Sequence, residues 1–306
     1  MTGSRLIRRG LSALLFIALM SSVALVLARV APGDYTDVLR ASRLSDEAVE
    51  RERARLYLDR SLPELSLVWL SGLPRLDMRE SYRYARPVTT LLAERTPRTV
   101  GLVGAALLLS LLAGVLWGTI RARAGTRVAG AMDAITGVAV AVPSIVLLFG
   151  LLAVAVRTGL LSHIDQSIAM PLAGMLALAV PASAGIGALH AQALEEALAE
   201  PWAQASASRG LSTTRLAWKL GMRIALTRLT SVTPLVAANI LGASLLVEVV
   251  TGWAGLGRLT FDAVVARDVF LVAGCTAAVS ALIAAASLAS DVIVRLLDPR
   301  TREEHG

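Results

Sequence analysis

The run "TVGLVGAALLLSLLAGVLWGTI", Thr99–Ile120, contains no charged side chain. A bilayer hydrocarbon core about 30 Å thick needs about 20 apolar residues in an α-helix. A helix satisfies its own backbone hydrogen bonds in lipid, whereas an open sheet leaves an edge unpaired. The run therefore predicts a membrane-spanning helix, and similar runs recur along the chain.

Six such runs predict an all-α polytopic membrane protein. Only the fifth contains a charged residue, Glu248, and it lies near the end of that run. A charge at mid-membrane costs about 2.5–3.5 kcal/mol, so the near absence of charges is informative. We expect the first span to be kept as an anchor, because its run is long for a signal peptide and Ala28–Ala31 is a poor cleavage site. The predicted spans are roughly Gly10–Ala28, Thr99–Ile120, Ala134–Val156, Ile168–Leu189, Leu229–Thr251 and Val269–Ser290.

Composition supports this class and argues against several kinds of chemistry. The 306 residues are 55% hydrophobic, with a mean hydropathy of +0.65. The lone cysteine, Cys275, cannot form an intrachain disulfide, and the three histidines are far apart, so we predict no metal site in this chain alone. The single lysine, Lys219, lies outside any phosphate-binding loop pattern, so we predict no ATP site of this type in the chain.

The distribution of basic residues predicts the orientation. With the N-terminus inside, short inner segments hold 14 Lys and Arg residues and short outer loops hold three, namely Arg157, Arg258 and Arg267. An excess of Lys and Arg marks cytoplasmic loops, so both termini are predicted to be cytoplasmic. This topology accounts for the net charge of +7, and a nucleic-acid partner need not be invoked.

The predicted organisation has four parts. Residues 1–29 form the N-terminal end and first span, and residues 30–95 form an outer segment. Residues 96–297 form a five-helix domain with an inner loop at 191–228, and residues 298–306 form a cytoplasmic tail. In the outer segment, "LSDEAVERERARLYLDR" predicts a short solvated helix with Ser45 as N-cap.

The inner loop carries helix-start and helix-stop signals. Pro suits the first helical position and Gly the position after the end, so we expect a short helix over Pro201–Arg209 followed by Gly210. Such a short helix is not stable alone in water. It is either a docking device, with small residues to enter a groove and Trp202 as anchor, or an ordinary polar connector. A second helix is expected from Ser212 or Thr213, with a basic stripe of Arg215, Lys219 and Arg223.

Several residues within the spans are also notable. Asn239 and Glu248 could line the translocation path or its gate, but Asn239 could equally bond another helix and Glu248 could be a solvated helix end. The motif Gly114-x-x-x-Gly118 permits close helix approach. "GLGRLT", Gly255–Thr260, lacks the third glycine of a dinucleotide site and predicts a tight outer turn. Kinks or broken ends are expected at Pro143, Pro171, Pro181 and Pro234.

Four stretches of the sequence carry a resemblance to a known family. They are "APGD" at Ala31–Asp34, "QASASRGLS" at Gln204–Ser212, "VEVVTGWAGLGRLTFDAVVARD" at Val247–Asp268 and "LLDPRTR" at Leu296–Arg302. The last two are the most specific, and "AVPS", Ala141–Ser144, and "RPV", Arg86–Val88, add weaker support. On these residues the chain resembles the inner-membrane permease subunits of ABC importers, in the dipeptide/oligopeptide/nickel class, over nearly its whole length.

The chain departs from the family pattern at three places. Gln204 stands where the wider superfamily usually has Glu, and Arg228 stands where a proline is usual. The outer "GDLG" pattern is present only as Leu76-Asp77-Met78-Arg79, without its glycines.

The resemblance implies a type I ABC importer permease fold with six transmembrane helices in a bacterial or archaeal inner membrane. It implies a homologous second permease subunit, two cytoplasmic ATPase subunits that use ATP and Mg, and an external solute-binding protein. This chain would bind no cofactor and would not be an enzyme. Peptides are the first substrate expectation, with nickel, glutathione or another small solute left open. A self-contained channel or an integral-membrane enzyme is the alternative from another class.

The resemblance also assigns roles to two sets of residues. The short inner helix would be the coupling helix, set in a cleft of the ATPase. The loaded binding protein would dock on the outer segment and on the outer loop, which includes Trp253, Gly255, Gly257, Arg258 and Asp268. The coupling-helix residues are Glu200, Pro201, Trp202, Ala203, Gln204, Ala205, Ser206, Ala207, Ser208, Arg209 and Gly210.

Overall fold

The computed structural model describes residues 3–32, 45–159, 164–210, 212, 218 and 221–297. These residues are mainly helical, with one antiparallel pair of two-residue strands, β1 (Glu80–Ser81) and β2 (Arg86–Pro87), in the register Glu80 opposite Pro87. The α-helices are α1 (Gly3–Val30), α2 (Asp46–Arg55), α3 (Leu62–Gly72), α4 (Val88–Arg123), α5 (Thr126–Ala141), α6 (Ser144–Arg157), α7 (Gln166–Ala199), α8 (Pro201–Ser208), α9 (Met222–Thr251), α10 (Leu256–Val265) and α11 (Val269–Leu297).

Five of the described helices are long and apolar enough to cross a membrane. These helices contain five of the six predicted spans. Most of the helices are longer than the span predicted within them, because the helix continues past the apolar run. The qualifying segments are Ile7–Val30, Val88–Arg123, Gln166–Ala199, Ile224–Thr251 and Val269–Ser290.

The remaining predicted span, Ala134–Val156, is not a single helix. Helices α5 and α6 are long and apolar enough to cross a membrane only when taken together, and they are bent by 99° at the break between them. Val142 is extended there, with φ −78° and ψ 118°, because the ring of Pro143 disfavours the helical conformation in the preceding residue. The break expected at Pro143 is confirmed. Pro171, Pro181 and Pro234 lie inside continuous helices, so the helices are not broken there and the alternative, a kink, stays a prediction.

The chain divides into two compact units. The first comprises residues 1–100 and 252–284. Its core surrounds Phe270, whose ring lies 6.1 Å from that of Tyr57, 6.4 Å from that of Trp69 and 5.8 Å from that of Tyr82, measured between centroids. The indole of Trp69 donates to Ser21 Oγ at 3.1 Å, which ties α3 to α1.

The helix predicted after Ser45 is present as α2, within the first unit. Ser45 occupies the predicted N-cap position, and its side chain makes no capping hydrogen bond. The acidic Asp46 and Glu47 occupy the first turn, where carboxylates interact favourably with the helix dipole. Val49 is buried, whereas most of the charged side chains are exposed.

The second unit comprises residues 101–251 and 285–306. Within it, α4 and α7 approach closely at glycines. A Cβ added to Gly118 would lie 2.4 Å from the carbonyl oxygen of Gly187, and one added to Gly114 would lie 2.7 Å from Ile186. The close approach predicted from Gly114-x-x-x-Gly118 is therefore confirmed, with α7 as the partner helix.

Candidate functional site

The short helix in the polar loop is present as α8, Pro201–Ser208. Glu200 separates it from α7, with φ −65° and ψ 148°. Its carbonyl accepts from the backbone N–H of Ala203 at 3.0 Å. The predicted helix, Pro201–Arg209, is confirmed to within one residue.

Gly210 follows α8 in the left-handed region, at φ +85°. A side chain there is strained whatever the space around it, because a Cβ in this conformation meets the backbone. This agrees with the predicted role of Gly210 as the residue that ends the helix.

Among the described residues, one side of helix α8 is buried and another is exposed. Ala203 is buried, and Trp202 and Ser206 are half-buried beside it. Pro201, Ala205 and Ser208 are exposed, and their spacing of four and three residues puts them on one side of the helix. The open side is therefore lined by small side chains, while Trp202, predicted as the anchor, lies at its edge. Arg209 is also exposed, and the side chains of Gln204 and Ala207 are not described.

An ion-pair cluster joins four helices at the end of α7 that leads into α8. Arg121 on α4 makes two hydrogen bonds of 2.8 Å to Asp133 on α5 and a further ion pair to Glu195 on α7. Next to it, Arg228 on α9 pairs with Glu196 on α7. Because all of these charges are partly exposed, each pair is worth only about 0–1 kcal/mol. Together they connect the end of α7 to α4, α5 and α9, and we call them the α7 ion-pair cluster.

The α7 ion-pair cluster was missed by the sequence reasoning, although a signal was present. "LEEALAE", Leu194–Glu200, places two adjacent acids just before the loop, and Arg121 ends an apolar run. Arg228 stands where the family pattern usually has a proline. The arginine pairs with Glu196 on α7, and a proline could not make this ion pair.

The two polar residues of α9 differ in environment. Asn239 is exposed, near the middle of the helix, and Leu235 and Leu246 on either side of it are also exposed. Glu248 is completely buried, so a solvated helix end is the wrong interpretation for it.

The outer-loop residues fold differently from the prediction. Leu256–Val265 is helix α10, so the tight turn expected over Gly255–Thr260 is wrong. The left-handed residue of this segment is Gly252, at φ +69°, and Gly255 is extended, at φ −102°. Gly257 is buried inside α10. The charged Arg258 pairs with Asp262 at 3.3 Å.

Two side chains fasten this segment to the rest of the first unit. The indole of Trp253 donates to the carbonyl of Arg98 at 3.1 Å. Asp268 is fully buried, and its carboxylate accepts from Ser81 Oγ at 2.6 Å and from the backbone N–H of Leu271 at 3.1 Å. Burial raises the pKa of the Asp268 carboxyl, and the hydrogen bonds from Ser81 and the backbone oppose that rise. The Asp268 side chain is thus enclosed within the unit.

Part of the predicted site lies outside the described residues. Of the predicted second helix, Arg215 and Lys219 are not described, and the side chain of Arg223 is not described although its backbone begins α9. The predicted tail, 298–306, is also outside the described part. Within that part, no three His, Cys, Asp or Glu side chains are grouped to hold a metal ion.

Comparison with known proteins identifies relatives along the whole chain. The model of a family described as "Binding-protein-dependent transport system inner membrane component" matches residues 106–303, more than half of the chain. A probable peptide ABC transporter permease protein of Sinorhizobium fredii is 27% identical over 98% of this chain and 99% of its own length. An oligopeptide transport system permease protein of Bacillus subtilis is 23% identical over 96% of this chain and 98% of its own length.

A solved structure shares the fold. It shows the MetNI methionine ABC transporter in inward-facing conformations, and a chain of it aligns with a TM-score of 0.53 and 21% identity. The alignment covers 68% of this chain and 96% of the solved chain. The predicted type I importer permease fold is confirmed.

Proposed function

Because the chain belongs to the family of binding-protein-dependent transport system inner membrane components, we propose that it carries peptides, or a related small solute, inward by alternating access. It is a membrane-spanning permease subunit of an ABC importer and not itself an enzyme. The family implies a separate ATPase and a substrate-binding partner. ATP and Mg are used by the ATPase, and this chain contributes the path and the mechanical link. Peptides are favoured over nickel or glutathione because the relatives are named as peptide and oligopeptide permeases.

The full assembly proposed has two permease subunits, two ATPase subunits and one external binding protein. Both termini of this chain are cytoplasmic, and α8 lies on the same side as the ATPase. The binding protein docks on the opposite side, at the outer segment and at the segment containing Trp253 and Arg258. Exposed Asn239 faces the second permease or the path between the two subunits, since an amide in direct contact with lipid is unfavourable.

The open face of α8 is the observation that supports ATPase docking. An eight-residue helix needs packing partners to be stable, and the described residues supply them on one side, through buried Ala203. The exposed side presents Ala205 and Ser208, which are small enough to enter a cleft closely. When the ATPase subunits close, α8 moves, and the α7 ion-pair cluster passes that movement from α7 to α4, α5 and α9.

Co-purification with the ATPase tests this proposal. In Ala205→Glu the new carboxylate would lie in the closed cleft, and the ATPase should be lost when the permease is isolated in mild detergent. Gly210→Pro should have the same effect, because a proline ring cannot adopt φ +85°. Thr126→Glu is the matched control, since Thr126 is exposed at the start of α5 and an acid there suits the helix N-terminus. Full ATPase recovery with both α8 variants would refute docking through α8.

The alternative from another class, a self-contained channel, predicts a different result in the same experiment. No ATPase would accompany even the unmodified chain, and solute flux through reconstituted vesicles would be independent of ATP.

A further inference from the structure

A cavity of about 550 Å³ lies within the second unit, walled by α4, α9 and α11. The wall residues fall between Leu107 and Val115 on α4, between Leu226 and Ala237 on α9, and between Ala286 and Ile293 on α11. All but three of the lining side chains are hydrocarbon. The exceptions are the hydroxyls of Thr230, Thr233 and Ser290.

Each of these hydroxyls is already used by the backbone. Thr230 donates to the carbonyl of Thr227 at 2.7 Å, and Thr233 donates to that of Leu229 at 3.0 Å. Ser290 donates to the carbonyl of Thr230. The hydroxyl protons therefore point to the walls, and the cavity offers its contents no side-chain hydroxyl donor. A buried water needs two to four polar partners, and a polar solute needs more, so the cavity selects an apolar occupant.

The cavity lies at a similar depth on all three helices. At about 1.5 Å per residue, its walls lie about 12–24 Å from Arg123 on α4, about 6–22 Å from the start of α9 and about 6–16 Å from the end of α11. These three helix ends are the cytoplasmic ones in the proposed orientation. Half of a bilayer core is about 15 Å thick, so the cavity lies at the level of the inner-leaflet hydrocarbon and reaches the middle of the bilayer along α4 and α9.

A surface stripe connects the cavity to a basic side chain at that end. Leu112 lines the cavity and is 63% exposed. Leu116 and Ile120 follow it on the same face of α4 and are also exposed, and the exposed Arg123 ends the stripe. Basic residues at the cytoplasmic surface attract anionic lipids. The apolar walls suit the acyl chain of an anionic phospholipid, and the guanidinium of Arg123 suits its headgroup.

We propose that this cavity binds one acyl chain of an anionic inner-leaflet phospholipid, whose headgroup lies against Arg123. The proposal uses the orientation given under the proposed function but does not depend on transport or on the ATPase. An acyl chain fits better than the helix of a second permease subunit, because the exposed stripe on α4 connects the apolar cavity to the basic side chain of Arg123.

Lipid retention tests the proposal. The permease complex is incubated with vesicles of equimolar phosphatidylglycerol and phosphatidylcholine, re-purified, and its bound lipid counted by mass spectrometry. The unmodified complex should retain phosphatidylglycerol. Ala286→Phe places a phenyl ring in the cavity and should strongly reduce that retention, whereas Ala285→Phe, on an exposed neighbour outside the cavity lining, should not change it. Arg123→Gln should keep a bound lipid but reduce the preference for phosphatidylglycerol about fivefold, the contribution of one basic side chain.

A photo-crosslinking residue in place of Leu112 identifies the occupant directly. The proposal expects a lipid adduct that disappears in the Ala286→Phe background. Capture of a second polypeptide instead, or equal lipid retention by the unmodified protein and Ala286→Phe, would overturn it. Both readouts are made without ATP. Loss of the ATPase from the preparation would therefore count against the docking proposal and leave the lipid result interpretable.

Discussion

The guanidinium of Arg121 meets the carboxylate of Asp133 in two parallel hydrogen bonds, each 2.8 Å long. Bidentate pairs fix direction as well as distance, so α4 and α5 are held at a defined angle at this point. The same guanidinium also reaches Glu195, five residues before Glu200 and the start of α8. Under the proposed function, a movement of α8 would reach α4, α5 and α9 through the α7 ion-pair cluster.

Charge reversal tests whether the second pair of that cluster transmits movement. Glu196→Arg replaces an attraction to Arg228 with a repulsion. It should lower substrate-stimulated ATP hydrolysis by the reconstituted complex about two- to fivefold, the range expected for an exposed pair. Adding Arg228→Glu restores the pair with reversed sign and should recover most of the rate. A double variant no better than the single one would show that the pair has only a local role.

The glycine crossing of α4 and α7 predicts a stability difference between two alanine variants on one helix. Gly118→Ala forces a methyl group against the Gly187 carbonyl, and overpacking of this kind costs about 1–3 kcal/mol. Gly104→Ala, where the space is open, should be neutral or stabilising by about 0.5–1 kcal/mol. Thermal unfolding of the two purified variants compares them directly, and equal melting temperatures would contradict the observed crossing.

The buried carboxylate of Asp268 predicts a large effect from a conservative change. In Asp268→Asn, the amide group faces donors such as the N–H of Arg83, which lies 3.1 Å from the carboxylate. Leaving one buried donor unsatisfied costs about 1–3 kcal/mol. Asp262→Asn, nearby but in a part-exposed ion pair, should cost less than about 1 kcal/mol. Denaturation of the two variants in detergent measures the difference, and similar losses would argue that Asp268 is not enclosed.

Membrane-impermeant thiol labelling tests the proposed orientation. The native Cys275 is buried, so the unmodified chain gives little background. Glu47→Cys on α2 should react in intact cells, and Ser208→Cys on α8 should react only in inverted vesicles from which the ATPase has been stripped, because both positions are exposed in the chain itself. Labelling of Ser208→Cys from outside would reverse the topology and remove the basis for ATPase docking.

We expect replacement of Asn239 to impair transport without disrupting assembly of the complex. Replacing Asn239 with Leu removes an exposed amide at mid-span and should lower peptide uptake while the complex still purifies intact. Leu235→Ala, an exposed neighbour one turn away, is the control and should leave uptake largely unchanged. Unaltered uptake with Asn239→Leu would remove this residue from the path.

Local signals predicted most of the architecture. Apolar run length located the spans, and the Pro201 and Gly210 signals located α8 to within one residue, because caps and hydropathy depend on neighbours in sequence. The sequence predicted a break at Pro143. It did not predict the 99° angle between α5 and α6, since that angle depends on packing. The ion pair between Arg121 and Glu195 joins residues 74 positions apart, and no local pattern indicates which distant charges meet.

The core around Phe270 combines side chains from opposite ends of the chain, with Leu25 from α1 and Leu271 from α11 in one cluster. Contacts between residues so distant in sequence form late in folding. During synthesis, the core of the first unit therefore stays incomplete until the ribosome has made α11. Chaperones or the insertion machinery would have to shelter its exposed apolar surface during that interval. A nascent chain truncated before α11 should consequently be cleared by quality-control proteases, however well its earlier spans are inserted.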